Sequence, residues 1–290
     1  MKERPTILVT GANGQLGKEL QELAPLFPQF NFIFLSRADL PIHHVDLARN
    51  FFKEYHPHFL INCAAYTAVD KAEQEKDLAF QVNGEAVGVL AATCKEYQAK
   101  LIHISTDYVF DGAGSAPFKE DSPSNPQGVY GASKLEGEHQ ALQLNPDVII
   151  IRTSWVYSEF GKNFVKTILQ LVSERQEINV VNDQLGSPTY ASDLAAVILQ
   201  IISSGQWHPG IYHFSNEGVI SWFDFAEQIV VQAKLPCKVS TQSSAELSRP
   251  APRPPYSVLN TSKIRAALTL PAVSWESGLC EHLRLRNTLV

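Results

Sequence analysis

The chain has 290 residues, a formal net charge of −6 and 44% hydrophobic residues, so it can bury a large core. The acidic balance and the lack of a basic run argue against nucleic-acid binding, and no apolar stretch approaches the roughly 18 residues of a membrane span. A strand-like segment follows the first residues directly, and Cys63, Cys94, Cys237 and Cys280 show no metal-ligand spacing. We therefore expect a cytoplasmic protein with no signal peptide, no metal held by its cysteines and reduced cysteines.

Strand-like and helix-like segments alternate along the first half of the chain. Strands are predicted at 6–10, 31–35, 59–63, 100–105 and 147–152, and helices at 15–26, 47–55, 77–97, 128–144 and 163–174. This alternation predicts an α/β fold, a Rossmann-like doubly wound parallel sheet. After Arg152 the order changes, and a strand at 178–181, a helix at 191–203 and a strand at 210–214 are expected to rejoin the sheet.

Two domains are predicted from this organisation. Residues 1–154 plus about 188–217 are expected to form a NAD(P)-binding Rossmann domain. About 155–187 plus 218–290 are expected to form a smaller C-terminal substrate lobe over the carboxyl edge of the sheet. The lobe contains the proline-rich segment 249–255, which is too irregular for regular structure.

A glycine-rich turn between the first strand and the first helix predicts a nucleotide phosphate site. Gly11 permits a tight turn, Gly14 lets backbone approach a pyrophosphate, and Gly17 lets the helix pack close to the strand. The phosphates would lie at the helix N-terminus, where amides and the helix dipole favour anions. The predicted cofactor residues of this loop are Gly11, Asn13, Gly14, Gln15, Leu16 and Gly17.

The end of the second strand bears on the choice of cofactor. Ser36 and Arg37 stand where an acidic residue would receive the ribose 2′-hydroxyl of NAD, and a hydroxyl with a guanidinium suits a 2′-phosphate. The prediction is NADPH, with NADH open as the alternative because Asp39 lies close enough to take a 2′-hydroxyl. Further along, Asp46 and Leu47 are predicted at the adenine, although Asp46 equally suits an N-cap of the helix 47–55.

A tyrosine and a lysine one helical turn apart carry the predicted chemistry. Tyr130 and Lys134 project from the same helix face, and Thr106 lies at the carboxyl end of a buried strand, where open α/β sheets bind ligands. A neighbouring cation is expected to lower the tyrosine pKa toward neutral pH. Taken alone, the pair favours a chance pair on a helix surface, and it is the nucleotide loop that favours the catalytic interpretation.

Several sequence blocks together resemble a known family. They are Gly-Ala-Asn-Gly-Gln-Leu-Gly (11–17), Asn-Cys-Ala-Ala-Tyr-Thr-Ala-Val-Asp-Lys-Ala-Glu (62–73), Ser-Thr-Asp-Tyr-Val-Phe-Asp-Gly (105–112), Tyr-Gly-Ala-Ser-Lys (130–134), Arg-Thr-Ser-Trp-Val-Tyr (152–157), Asn-Asp-Gln-Leu-Gly-Ser-Pro-Thr (182–189) and Pro-Tyr-Ser-Val-Leu-Asn-Thr-Ser-Lys (255–263). They are similar to the extended short-chain dehydrogenase/reductase superfamily and, within it, to the dTDP-4-dehydrorhamnose reductase family. This resemblance covers nearly the whole chain.

The resemblance implies NADPH-dependent reduction of the 4-keto group of a dTDP-linked 6-deoxy sugar. It assigns Tyr130 as proton donor, Lys134 as the residue that tunes it and binds the nicotinamide ribose, and Thr106 as the residue that orients the keto oxygen. It adds cofactor contacts at Ala64, Ala65, Tyr66 and Thr67, and sugar contacts at Asp107 and Trp155. Asn163, Arg249 and Arg253 are expected at the nucleotide diphosphate, since bidentate arginine suits phosphate, with solubility of the exposed proline-rich loop as the alternative for the two arginines. Asn83 stays outside this predicted site, as either a brace or a buried structural amide.

Three rival functions share the resemblance. A dehydratase of this superfamily carries Asp-Glu after the threonine, whereas this chain has Thr106-Asp107-Tyr108. An epimerase, or a reductase of another dTDP-4-keto sugar, stays open as an alternative, as does a non-catalytic protein resembling the regulatory subunit of methionine adenosyltransferase. Some family members form magnesium-bridged dimers through glutamates. Glu19 falls at one such position without an identified partner, which leaves Mg²⁺ and a homodimer undecided.

Overall fold

The structure is a computed structural model that describes residues 4–288. Its β-strands are, in chain order, β1 (Thr6–Thr10), β2 (Asn31–Leu35), β3 (Phe59–Asn62), β4 (Lys100–Thr106), β5 (Ile149–Thr153), β6 (Val156–Tyr157), β7 (Glu177–Val181), β8 (Leu185–Gly186), β9 (Thr189–Tyr190), β10 (Gly210–His213), β11 (Ile220–Ser221) and β12 (Lys238–Gln242). Its α-helices are α1 (Gln15–Leu23), α2 (Val45–Tyr55), α3 (Val69–Ala72), α4 (Lys76–Phe80), α5 (Ala86–Glu96), α6 (Val129–Leu144), α7 (Phe164–Glu174), α8 (Ala191–Ser203), α9 (Trp222–Ala233), α10 (Ser262–Leu268) and α11 (Trp275–Thr288).

The central sheet has six parallel strands in the order β10–β5–β4–β3–β1–β2. The strand order changes direction between β1 and β3, which is where doubly wound sheets bind ligands. Because the strands are parallel, their carboxyl ends lie along one edge, and the register there pairs Thr10 with Asn62 and Thr106 with Thr153. The predicted α/β fold with a Rossmann-like sheet is confirmed.

Helices cover both faces of the sheet because successive strand residues point to opposite sides. On one face, Ile7 and Val9 of β1 lie in a core shared with α1 and α8. On the other, Leu8 of the same strand lies in a core shared with α2, α5 and α6. Each such fully buried side chain contributes about 1.5–3 kcal/mol relative to exposure, so both layers hold the sheet edge in place.

A third core lies outside the sheet, among α7, α9, α11 and the paired strands β7 and β12. Phe225 of α9 is fully buried in it, and Trp275 packs edge-on against that ring with centroids 5.8 Å apart. Ile264 of α10, in contrast, packs into the core of α1 and α8. The division into a Rossmann domain and a substrate lobe stays a prediction. Nowhere in residues 4–288 is there a helix with the length and apolar character to span a membrane.

Some predicted elements differ from the structure. The prediction that the strand at 178–181 rejoins the central sheet is wrong, because β7 pairs with β12 in a separate sheet. The helix expected at 77–97 is divided into α4 and α5 by a π-helical turn, Gln81–Glu85. After Leu23, α1 gives way to a 3-10 turn that contains Pro25, a residue that lacks the N–H a continuing helix needs. The strand predicted at 210–214 does join the sheet, as β10.

Candidate active site

A cleft of about 900 Å³ opens along the carboxyl edge of the sheet. Its walls come from the segments after β1, β2, β3, β4 and β5, from α6, and from Phe164 and Trp222 on the opposite side. Its size suits a nucleotide-containing ligand. The predicted site residues that line it are Gly11, Asn13, Gly14, Gln15, Leu16, Arg37, Ala64, Ala65, Tyr66, Thr67, Thr106, Asp107, Tyr130, Lys134 and Trp155.

The glycine loop after β1 packs tightly at one end of this cleft. Gly11 has φ = 68°, and a Cβ on it would lie 2.6 Å from the backbone nitrogen of Ala64. Gly17 does not line the cleft; a Cβ on it would lie 2.4 Å from the Gly11 carbonyl oxygen, so it lets α1 pack under the loop. α1 begins after Gly14 with no side-chain cap and no acidic residue in its first turn, an arrangement that fits an anion at its N-terminus.

At the end of β2, a hydroxyl and a carboxylate bind each other. Ser36 does not line the cleft; its Oγ donates to Asp39 Oδ2 at 2.6 Å, and its N–H donates to the same oxygen at 2.8 Å. These hydrogen bonds lower the pKa of Asp39. Arg37 lines the cleft and has no ion pair with any residue that the structure describes. Its guanidinium is therefore available to an anion at this end.

Asp46 and Leu47 do not line the cleft. α2 already begins at Val45, so Asp46 lies inside its first turn, and no side chain caps this helix; the interpretation of Asp46 as an N-cap is wrong. The wall here consists of Leu40, Pro41, Ile42 and His43. The apolar run after β2 was the sequence signal for this wall.

The predicted catalytic trio lines the middle of the cleft. Thr106 ends β4, and Tyr130 and Lys134 lie one turn apart on α6. Thr106 Oγ1 donates to Asp107 Oδ1 at 3.0 Å and accepts the N–H of Tyr108 at 3.2 Å. The predicted helix spacing and strand end therefore bring the hydroxyl, the phenol and the ammonium to one wall.

The pKa of Tyr130 is raised to about 12, chiefly because burial disfavours the phenolate. A hydrogen bond with Thr106 lowers this pKa, and the nearby Asp107 charge raises it. The direction is opposite to the lowering expected from Lys134, because desolvation outweighs the hydrogen bond with Thr106, which is the contact that lowers this pKa. A phenol with this pKa is protonated at neutral pH and can act as a proton donor.

Lys134 is almost fully buried, at 2% exposure. Its Nζ donates to the Ile104 carbonyl oxygen at 2.7 Å and lies 3.4 Å from His103 Nε2. Burial lowers its pKa to about 8, while the charge of Glu138, one turn further along α6, opposes this shift. Lys134 is therefore charged at neutral pH and close to losing its proton.

Asp107 and Trp155 also line the cleft. Burial raises the pKa of the Asp107 carboxyl to about 6, against hydrogen bonds from Ser257 and Thr106. Trp155 has φ = 47° and stacks on Trp222, with ring centroids 3.5 Å apart and planes 9° apart.

The placement of Trp155 depends on residues that sequence reasoning missed. A Cβ on Gly186 would lie 2.5 Å from its indole ring, so only glycine leaves room for it. Trp222, which also lines the cleft, comes from α9. No local pattern connects positions 155, 186 and 222, since their contact depends on the tertiary fold.

Three predicted substrate residues do not line the cleft: Asn163, Arg249 and Arg253. Asn163 caps α7 through the N–H of Lys166 at 3.0 Å, and its Nδ2 donates to Gln15 Oε1 at 3.0 Å. Arg253 pairs with Asp70 at 2.9 Å.

Asn83 connects the cofactor wall to the catalytic helix. Asn83 is fully buried in the π-helical turn. Its Oδ1 accepts a hydrogen bond from the Tyr66 N–H at 2.8 Å, and its Nδ2 donates to the Tyr66 carbonyl oxygen at 2.9 Å. Nδ2 also donates to Ser133 Oγ, on α6 beside Lys134, at 3.0 Å. Both roles considered for Asn83 match these contacts: its amide satisfies the backbone groups of Tyr66, and the bond to Ser133 braces them against α6. The mid-helix position of an asparagine was the signal for this site.

Glu19 is buried and accepts a hydrogen bond from Ser158 Oγ at 2.6 Å. Burial raises the pKa of this carboxyl. In the part of the chain that the structure describes, no group of three or more histidine, cysteine, aspartate and glutamate side chains is placed to hold a metal ion.

A doubly wound sheet with a nucleotide loop at one end of its cleft and a tyrosine–lysine pair in the middle has the architecture of an extended short-chain dehydrogenase/reductase. In agreement, the family model described as RmlD substrate binding domain matches residues 5–287. The chain belongs to this family.

Named relatives match over nearly their full length. The spore coat polysaccharide biosynthesis protein SpsK of Bacillus subtilis is 41% identical, over 97% of this chain and 98% of that protein. The dTDP-4-dehydrorhamnose reductase of Aggregatibacter actinomycetemcomitans is 39% identical, over 94% and 96%. The crystal structure of dTDP-4-dehydrorhamnose reductase from Bacillus anthracis in complex with NADP has a TM-score of 0.93 and 40% identity, over 98% of this chain and 100% of that one.

Proposed function

We propose that this protein reduces the 4-keto group of dTDP-4-dehydrorhamnose with NADPH to give dTDP-L-rhamnose. The observation that carries the proposal is the convergence of Thr106, Tyr130 and Lys134 in one cleft with the glycine loop. Family membership and relatives of that name support the substrate class. The lobe built around the third core would then bind the sugar nucleotide, and Trp155 would form an apolar wall for the sugar.

Tyr130 is the proton donor in this proposal. Its raised pKa keeps the phenol protonated at neutral pH, so the O–H can transfer its proton to the oxygen that becomes an alkoxide. The Thr106 hydroxyl hydrogen-bonds the same oxygen, and the Lys134 charge stabilises the phenolate that is left. NADPH bound with its phosphates at the Gly11–Gly17 loop supplies the hydride, while the protein supplies position and charge.

The direct test mixes the protein with NADPH and dTDP-4-dehydrorhamnose and follows nicotinamide absorbance, with NMR of the sugar product. Loss of absorbance together with formation of dTDP-L-rhamnose is the expected result. Unchanged absorbance would remove the reductase proposal, and an altered sugar without net NADPH consumption would indicate an epimerase instead.

Arg37 is proposed to select NADPH. Because it lines the cleft free of ion pairs with the described residues, its charge can bind a 2′-phosphate, a charge-assisted contact of about 1.5–3 kcal/mol. Arg37→Gln is expected to raise KM for NADPH by about 10- to 100-fold and to leave KM for NADH nearly unchanged. Arg49→Gln removes only an exposed pair with Glu96 and serves as the control. A similar loss with both cofactors would contradict this role.

Activity in the direction of reduction is expected to fall as pH rises through about 8. The pKa of Lys134 is lowered to about 8, so its ammonium is present below that pH and lost above it. Since Tyr130 titrates only near 12, the alkaline limb reports mainly the lysine. A pH profile of kcat/KM measures this limb, and a flat profile between pH 7 and 10 would contradict the assignment.

The diphosphate of the sugar nucleotide needs a cationic partner. Arg249 has no ion pair with the described residues, whereas Arg253 is paired with Asp70. Asn163, fixed as the cap of α7, would act by holding Gln15 at the cleft. We therefore assign the diphosphate to Arg249 first.

A further inference from the structure

A row of buried polar side chains connects the nucleotide loop to the catalytic lysine. Thr10, Asn62 and His103 are register partners on β1, β3 and β4, and they are no more than 1% exposed. Thr10 Oγ1 donates to Asn62 Oδ1 at 2.6 Å, and Asn62 Nδ2 lies 3.0 Å from His103 Nδ1. The row ends where His103 Nε2 lies 3.4 Å from Lys134 Nζ. None of the three middle residues has a role in the proposed chemistry so far.

The orientation of the Asn62 amide follows from its partners. The backbone N–H of Ala64 lies 3.2 Å from Asn62 Oδ1 and can only donate. The atom facing Ala64 and Thr10 is therefore the oxygen, and the NH₂ group faces His103. An amide NH₂ also can only donate, so His103 Nδ1 must accept and carries no proton.

This fixes the tautomer of His103. Burial, together with the Lys134 charge, lowers the pKa of His103 far below its usual range, so the ring is neutral and its single proton is on Nε2. The Nε2–H points at Lys134 Nζ. An ammonium only donates, so two donors face each other when Lys134 is charged, whereas the neutral amine has a lone pair that accepts the Nε2–H.

We propose that His103 is a positioning residue that, held as the Nε2–H tautomer by Asn62, favours the uncharged form of Lys134 and so lets this lysine release its proton easily during turnover. The inference rests on the proposed reduction at Tyr130. In that reaction the Tyr130 phenolate left after proton donation takes up a proton from Lys134. The neutral amine then accepts the His103 Nε2–H until solvent restores the ammonium.

The other groups around Lys134 act in the opposite direction. Glu138 follows it by one turn on α6, and Cys63 faces it from the end of β3; a negative charge on either would favour the ammonium. Tyr130 precedes it by one turn, and its phenolate would do the same. His103, on β4, is the group that disfavours the charged form of Lys134, so its removal is expected to raise the pKa of Lys134.

The first test reads the tautomer without any activity. Long-range ¹H–¹⁵N NMR of the wild-type protein distinguishes a ring protonated on Nε2 from one protonated on Nδ1, and a His103→Gln spectrum assigns the signal. His213 provides an internal contrast, since its Nδ1 lies 3.0 Å from the Phe118 carbonyl oxygen and must donate, while Nε2 faces Arg152 Nη1. We expect Nε2–H at His103 and Nδ1–H at His213. An Nδ1–H or doubly protonated His103 between pH 6 and 9 would overturn the proposal.

The second test is the pH profile of His103→Gln and His103→Asn. An amide oxygen at this position can accept from both Asn62 and Lys134, so the ammonium should persist to higher pH. The alkaline limb of kcat/KM is expected to move up by about 1 pH unit, a tenfold change in the protonation equilibrium, and His213→Gln should leave it in place. If His103 had only a structural role, its variants would lose thermal stability and activity at every pH, but the alkaline limb of kcat/KM would stay in place. An unmoved alkaline limb in variants that fold would therefore refute the proposal. Wild-type protein without reductase activity would instead refute the proposed function, which the NMR result does not depend on.

Discussion

Replacement of Tyr130 by phenylalanine is expected to lower kcat by about 10²–10⁴-fold, the usual contribution of a positioned general acid. The ring lines the cleft, and only its hydroxyl is removed. Cofactor affinity should change little, because the glycine loop and Arg37 are untouched. Stopped-flow or steady-state kinetics measure the first effect, and quenching of protein fluorescence by NADPH measures the second.

Tyr108→Phe is the matched control for this experiment. Its ring lines the same cleft and packs edge-on against Tyr130, with centroids 5.6 Å apart, but it does not share the helix of Lys134. We expect a loss of less than about tenfold, since no transferred proton is removed. If Tyr130→Phe kept most of its activity, or if Tyr108→Phe were the more damaging change, the proton donor would have to be reassigned.

Gly11→Ala is expected to weaken NADPH binding by at least about 100-fold, a change of roughly 3 kcal/mol. Two effects combine at this position. The backbone has φ = 68°, where an alanine is strained by about 1–2 kcal/mol. In addition, the new Cβ would lie 2.6–2.8 Å from backbone atoms of Cys63 and Ala64, so the loop would have to move away from β3.

Gly205→Ala separates the strain from the steric clash. Gly205 also has φ = 68°, but a Cβ there meets nothing within 4 Å. It should therefore show the strain alone, as a small loss of thermal stability with unchanged NADPH affinity. Isothermal titration with NADPH and thermal melts of both variants make the comparison. Equal effects of the two substitutions on binding would show that close packing of the loop on β3 is unimportant.

Local signals in the sequence predicted the central features of the fold and site. Tyr130 and Lys134 were placed by helical spacing, Thr106 by the end of an apolar strand, and Gly11 by its position between a strand and a helix. In each case the pattern and its consequence lie within one element or one turn, where sequence periodicity is informative.

The features that sequence did not predict depend on contacts between distant positions. Arg253 was expected at the substrate, but its ion pair with Asp70 joins residues 183 positions apart. β7 pairs with β12, which comes later in the chain than β10, the last strand of the central sheet. The pKa of Tyr130 was expected to fall because Lys134 is one turn away, whereas the desolvation that raises it comes from the whole cleft wall.

The interleaving of the cores has a consequence for how the chain folds during synthesis. The third core takes α7 and β7 from before β10, and α9, β12 and α11 from after it. A nascent chain can thus complete its parallel sheet at His213 while the apolar face of α7, with Ile168 and Val172, still lacks its cover. Exposed apolar surface of this kind promotes aggregation. Chains that end before Trp275 lack α11 and leave Phe225 of α9 without the ring that packs on it, so loss of the last helix should yield aggregation-prone protein rather than a partly active reductase.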